Sequence, residues 1–245
     1  FDDKNIPADA DLIVYSTSYN RGNNIEVKCV LGCENCTAKK HRIKVLTYAE
    51  ALGGVFNQKY GIAVVGSHGK TTTTAWLGFV LEKSGLSPSV MVGSFVPQFD
   101  GFSLAGKSDY LVIEADEYQN KLQFFNPKGV LLNNIDYDHP DFFPTEEEYK
   151  NVFIEFIKKI PKSGFLIVNF DDPIIRKIAN VNCKGKVISY AINEAPAFAK
   201  ATAGKADYVA YDIKEQGGKQ YFKVKLGVGD DIDKDASSSE NNLGD

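Results

Sequence analysis

The residues best suited to do chemistry are Gly66-Ser67-His68-Gly69-Lys70-Thr71-Thr72. They follow the apolar run IAVVG (62–66) and precede a helical pattern over 70–84. Two glycines let the backbone fold so that N–H groups face phosphate oxygens, and the helix start adds its positive dipole end. Lys70 supplies a mobile cation for β- and γ-phosphates, and the Thr71 hydroxyl suits Mg2+. The spacing is GxxGKT rather than the commoner GxxxxGK[ST], so the strand–loop–helix setting carries the reading.

Two further segments lie where hydrophobic strands end. Glu114-Ala115-Asp116-Glu117-Tyr118 closes the run YLVIE. In parallel sheets the carboxyl ends of strands form the ligand crevice, and Mg2+ prefers oxygen ligands there. Glu114 is therefore a candidate metal ligand opposite the phosphate loop. Asn133-Asn134-Ile135-Asp136-Tyr137-Asp138-His139-Pro140-Asp141 follows VLL, with His139 set among carboxylates that favour its protonated form. His139 is a candidate to ligate the metal or to contact a transferred phosphoryl group. Its alternative is a surface loop in which it caps a backbone group.

The elements that must position these residues read as α/β. Continuous apolar strands are expected at 11–15, 44–46, 62–66, 89–92, 110–114, 130–135, 165–170 and 187–190. Helices between them imply a mostly parallel sheet covered on both faces. Weak helical character marks 24–31. Thr47 with Glu50, and Thr145 with Glu148, are spaced as capping boxes. Gly85 stands where a helix terminates in the left-handed region. Residues 208–213 and 220–226 alternate around Gly217-Gly218, the pattern of an antiparallel hairpin at a sheet margin.

Together, GSHGKTTTT, EADEY and LNNIDYDHPDFFP resemble the ATP-binding central domain of the Mur ligase family over about residues 61–192. The family loop is typically GTHGKTT, with Ser67 here in place of Thr. The resemblance implies a P-loop central domain at 58–227, preceded at 1–57 by the end of a Rossmann-like UDP-substrate domain. It implies ATP cradled by residues 66–72, Lys70 on the β/γ-phosphates, and Mg2+ among Thr71, Glu114 and His139. It also implies an ATP-dependent acid–amino-acid ligase working through an acyl phosphate. The implied partners are UDP-N-acetylmuramic acid and L-alanine, with the tripeptide L-Ala-γ-D-Glu-diaminopimelate as the alternative amine. More weakly, it brings residues 16–18 near the sugar nucleotide. A folate-type polyglutamate ligase shares the architecture but fits the EADEY and DYDHPDFF wording less well. A non-catalytic nucleotide-binding module is the reading from a different class.

Composition bounds these readings. The chain has 245 residues, 43% hydrophobic and 24% charged, the balance of an ordinary globular protein. Its net charge of −4 is concentrated at the end: residues 228–245 hold six acids against one base, and are expected to be a disordered acidic tail. The body then carries no bias toward nucleic acid or membrane. The only basic run, Lys39-Lys40-His41-Arg42, lacks interleaved aromatics. No signal peptide opens the sequence, and four cysteines are too few for a disulfide scaffold, so a cytoplasmic setting is expected. Cys29, Cys33, Cys36 and His41 form a candidate tetrahedral Zn2+ set, against the simpler reading of reduced cysteines in a loop. Cys183 reads as a small buried residue or an unpaired thiol. The family's glycine-rich UDP-binding start and its C-terminal domain have no counterpart in these residues. The expectation is therefore a fragment that binds nucleotide without completing an amide bond.

Overall fold

The computed structural model describes residues 5–7, 9–19, 22–32, 43–192 and 206–227. Its first unit is small. Strands β1 (Leu12–Tyr15) and β2 (Lys44–Thr47) pair in parallel, with helix α1 (Ile25–Gly32) between them in sequence. Helix α2 (Tyr48–Phe56) starts directly from β2. Thr47 Oγ1 accepts from the Glu50 amide, and Glu50 reaches back to the Thr47 amide at 2.7 Å, so the expected capping box forms. At Thr145 half of the second expected box forms: its hydroxyl accepts from the Glu148 amide as an N-cap, and among the described residues no return bond from Glu148 to the Thr145 amide is seen.

The main sheet has nine strands: β3 (Tyr60–Val65), β4 (Ser89–Val96), β5 (Gly101–Leu104), β6 (Tyr110–Glu114), β7 (Gly129–Leu132), β8 (Phe165–Asn169), β9 (Lys186–Ile192), β10 (Tyr208–Gln216) and β11 (Lys219–Leu226). Their spatial order is β11-β10-β9-β8-β7-β3-β6-β4-β5. Every inner pairing is parallel, while β5 and β11 close the two edges antiparallel. The helices are α3 (Lys70–Lys83), α4 (Glu146–Lys158) and α5 (Pro173–Asn182). This is the mostly parallel, helix-flanked P-loop sheet that the sequence implies. Gly85 stands at φ 78 just past α3, and Gly217 and Gly218 both take positive φ in the β10–β11 turn.

Three details depart from the expectations. The strand expected through Ile135 stops at Leu132, because Asn133 and Asn134 turn aside to bond the phosphate loop. Strand β4 runs four residues longer than expected and folds back on β5 through Pro97–Phe99 and Asp100, which takes φ 50 just before Gly101, so the Asp-Gly step marks the turn of an edge hairpin. Helix α5 has no counterpart among the expected helices. It is short, and its start is fixed by Asp172, whose carboxylate accepts from the Ile174 and Ile175 amides.

The largest core cluster lies on one side of the sheet, where Phe153, Phe156, Ile157 and Ile160 of α4 and its end meet Val130, Leu166 and Val168. The apolar stripe of α4 therefore fulfils its 3.6-residue period against the sheet. Helix α2 joins the same core. Phe56 is fully buried, its ring 5.4 Å from that of Phe125 in an edge-to-face contact. Among the described residues no helix is long and apolar enough to cross a membrane. The expected acidic tail, and Cys33, Cys36 and His41 of the candidate Zn2+ set, lie outside the described residues. Cys29 is buried against Ile6, Ile13, Val30 and Ile43, and Cys183 packs at the margin of the main core.

Candidate functional site

Strand β3 is bordered by β6 on one side and β7 on the other, so the chain leaves it at the point where strand order switches. That is the crevice position of open α/β sheets. Residues 66–69 occupy it. Gly66 takes φ 132, and a Cβ there would lie 2.9 Å from the Asn134 carbonyl oxygen. Only glycine meets both conditions. Gly69 precedes α3 at φ 76.

The loop is held from β7. The His68 amide donates to Asn134 Oδ1 at 2.8 Å. Asn133 Nδ2 donates to the His68 carbonyl and to Thr73 Oγ1. Ser67 Oγ lies 2.6 Å from the Asp136 carbonyl and 2.7 Å from the Tyr149 hydroxyl. The sequence places the two asparagines directly after a buried strand without assigning them this task, and it carries no local sign of Tyr149's part. The asparagine pair directly after a buried strand was the available signal. Tyr149 lies 82 residues from Ser67 and offered none.

Lys70 folds over its own loop. Its ammonium donates to the Gly66 carbonyl at 2.6 Å, the Ser67 carbonyl at 3.3 Å and Glu117 Oε2 at 3.2 Å. Thr71 Oγ1 donates to Glu114 Oε1 at 2.9 Å, and the Gly93 amide donates to Glu114 Oε2 at 2.7 Å. Thr71 and Glu114, two of the three expected metal ligands, thus meet. Their oxygen donors suit a hard cation. Thr72 and His68 are exposed, with His68 Nε2 3.8 Å from Asp136 Oδ2.

His139 sits in a second corner. Its donor atom lies within 4.8 Å of those of Asp116 and Glu117, a grouping able to hold a cation. The Tyr118 ring covers the imidazole at 4.7 Å, and the Tyr118 hydroxyl donates to Asp141. That hydrogen bond raises the Tyr118 phenol above its ordinary value. The turn carrying these residues is tied down by Lys159, whose ammonium bonds the carbonyls of Leu122, Gln123 and Phe125. Burial lowers the Lys159 ammonium accordingly. Asp172, besides capping α5, accepts from the Ile135 amide and so anchors the His139 loop. Tyr149, 1% exposed, donates to Glu117 Oε1 at 3.0 Å. Burial, first of all, drives its phenol far above the ordinary value.

A cavity of about 180 Å³ opens beside this site. Ser16, Thr17 and Ser18 line it on one side, with Tyr48 from α2, and Glu114, Asp116 and Lys121 line it on the other. The loop after β1 and the acids after β6 therefore share one space.

The family model described as "Mur ligase middle domain" matches residues 64–229. The chain is similar to the UDP-N-acetylmuramate–L-alanine ligase of Borrelia garinii subsp. bavariensis, at 40% identity over 71% of this chain and 36% of that protein. It is similar to the same-named ligase of Caldicellulosiruptor bescii at 34% identity, over 93% of this chain and 48% of that one. It thus spans between about a third and a half of the curated relatives it matches. Among solved structures, the UDP-N-acetylmuramate-alanine ligase of Thermotoga maritima superposes with a TM-score of 0.71 at 18% identity, covering 93% of this chain and 46% of that one. The UDP-N-acetylmuramate:L-alanyl-gamma-D-glutamyl-meso-diaminopimelate ligase from Neisseria meningitides gives 0.70 at 23% identity, covering 89% and 65%. At those identities the two structures establish the fold alone.

Proposed function

This chain belongs to the Mur ligase family, and on that premise we propose that it is the ATP-binding part of a ligase joining L-alanine to UDP-N-acetylmuramate. The observation that carries the reading is that Thr71 meets Glu114 where β3 and β6 end, while Lys70 lies folded over the glycine loop beside them. The choice of L-alanine over a tripeptide rests on the names of the curated relatives at 34% identity and above. We assign the first 57 residues to the end of a sugar-nucleotide domain and 58–227 to the ATP domain. The cavity lined by Ser16–Ser18 and Asp116 lies where the two substrates would meet.

Each side chain has a physical task in this reading. Residues 66–72 cradle the triphosphate through backbone N–H groups at the start of α3. Lys70 offsets charge on the β- and γ-phosphates. Thr71 and Glu114 would hold Mg2+, with His139 as a further candidate ligand beside Asp116 and Glu117. The ion, when bound, neutralises charge between the phosphates. The γ-phosphoryl group passes to the muramyl carboxylate, and the amine then displaces phosphate from the resulting acyl phosphate to leave an amide. Stabilising charge on the transferred group is the main work of the residues around it.

The test is nucleotide affinity measured by calorimetry for the chain and for Lys70→Ala. The expected result is a loss of at least about tenfold, the scale of one charge-assisted contact. Equal affinities would remove Lys70 from its role.

A further inference from the structure

Glu117 has no task in the function proposed above, yet it is the most deeply buried acid at the site. Its side chain is 1% exposed and that of Lys70 is 14% exposed. Lys70 has three N–H donors. They are spent on two loop carbonyls and on Glu117 Oε2. The other Glu117 oxygen is held by the Tyr149 hydroxyl, which also touches Ser67 of the loop. In this pose the ammonium has no donor left for a phosphate oxygen. An incoming polyphosphate must displace at least one partner. Glu117 is the partner whose own negative charge opposes the ligand.

We propose that Glu117 is a positioning residue: it holds Lys70 across the phosphate loop, and a polyphosphate binds by taking Lys70 away from it. Tyr149 keeps the carboxylate in place while the lysine changes partner. The second half of this inference rests on the phosphate-binding reading of the loop; the first half does not.

Two measurements test the halves separately. The first is thermal unfolding of the ligand-free chain. Lys70→Met strands a buried carboxylate and should lower the midpoint by about 5 °C or more. Adding Glu117→Gln to Lys70→Met should restore part of that drop. Strictly additive shifts would overturn the pair. The second is calorimetry with ADP and no divalent cation. Glu117→Gln should tighten binding about fivefold or more, because the lysine no longer has to leave a charged partner. Glu117→Asp keeps the charge and should stay closer to the original affinity. The gain from Glu117→Gln should shrink in the Lys70→Met background. Weaker or unchanged binding in Glu117→Gln, or the same gain with and without Lys70, would overturn the exchange. If the unsubstituted chain binds no ADP, the nucleotide reading fails with it, and the unfolding cycle still decides the pair.

Discussion

Glu114 and Glu117 lie three residues apart in one acidic segment, and the fold gives them different environments. Glu114 is the last residue of β6 and keeps strand register. Its carboxylate stays partly exposed, where Thr71 and the Gly93 amide bond it from two directions. Glu117 lies past the strand, where the chain turns back beneath the site. There it is buried against Lys70 and Tyr149, with His139 at 3.8 Å. The first carboxylate faces Thr71 and the Gly93 amide, the position from which we propose it binds a metal. The second is placed as a counter-charge beneath it. A run of acids at a strand end therefore does not act as one pool of negative charge. The residue at which the strand stops divides it.

The strongest way to break this comparison is truncation of each acid. Glu117→Ala leaves the ammonium of Lys70 without its buried counter-charge and should cost about 3–5 kcal/mol. Glu114→Ala removes two hydrogen bonds at a wetter position and should cost about 1 kcal/mol. Urea unfolding of both variants decides it, and similar losses would erase the distinction. Next comes metal dependence. Glu114→Gln should abolish most of the gain in nucleotide affinity on adding Mg2+, a gain expected at about tenfold, while Glu117→Gln should keep it. Calorimetry with and without Mg2+ reads this directly, and the reverse pattern would exchange the two roles.

Smaller effects sharpen the buried corner. Tyr149→Phe deletes the donor to Glu117 Oε1 and should cost about 1–2 kcal/mol in the same unfolding assay. The sign of a pH effect also follows. Burial keeps the Tyr149 phenol protonated in the folded chain well above its ordinary value of 10.0. The unfolded chain ionises near that ordinary value. Stability from this group is thus complete below about pH 10 and declines as pH rises beyond it. Tyr149→Phe should decline less steeply over the same range. An identical slope in both proteins would mean that the phenol titrates normally.

Much of this molecule was legible because its signals are local. The run IAVVG followed by two glycines and Lys-Thr needs only its own neighbours to become a strand, a turn and a helix start. Thr47 and Thr145 cap their helices with partners three residues away. Gly217-Gly218 announces its hairpin in two residues. The parts that were not legible depend on distant or weak signals. Strand β5, GFSL, is four residues long with two apolar side chains, too short a run to read as a strand despite the Asp100-Gly101 step before it, and it is stabilised by edge pairing with β4. Helix α5 has a local start signal in Asp172 before Pro173, and only the bond from the Ile135 amide to the second Asp172 oxygen is hidden by distance. His139 stood in the right segment, but its neighbours Asp116 and Glu117 come from a different strand end.

The sequence by itself determined the fold class, the phosphate loop and the set of acids near it. Those follow from periodicity, turn chemistry and spacing over a few residues. Only the tertiary structure decided which acid meets which cation. Lys70 and Glu117 are 47 residues apart, Thr71 and Glu114 are 43, and Ser67 and Tyr149 are 82. Such pairings depend on strand order and on where each strand ends. Burial then sets their strength, because a carboxylate shut away from water must take its partner from the protein.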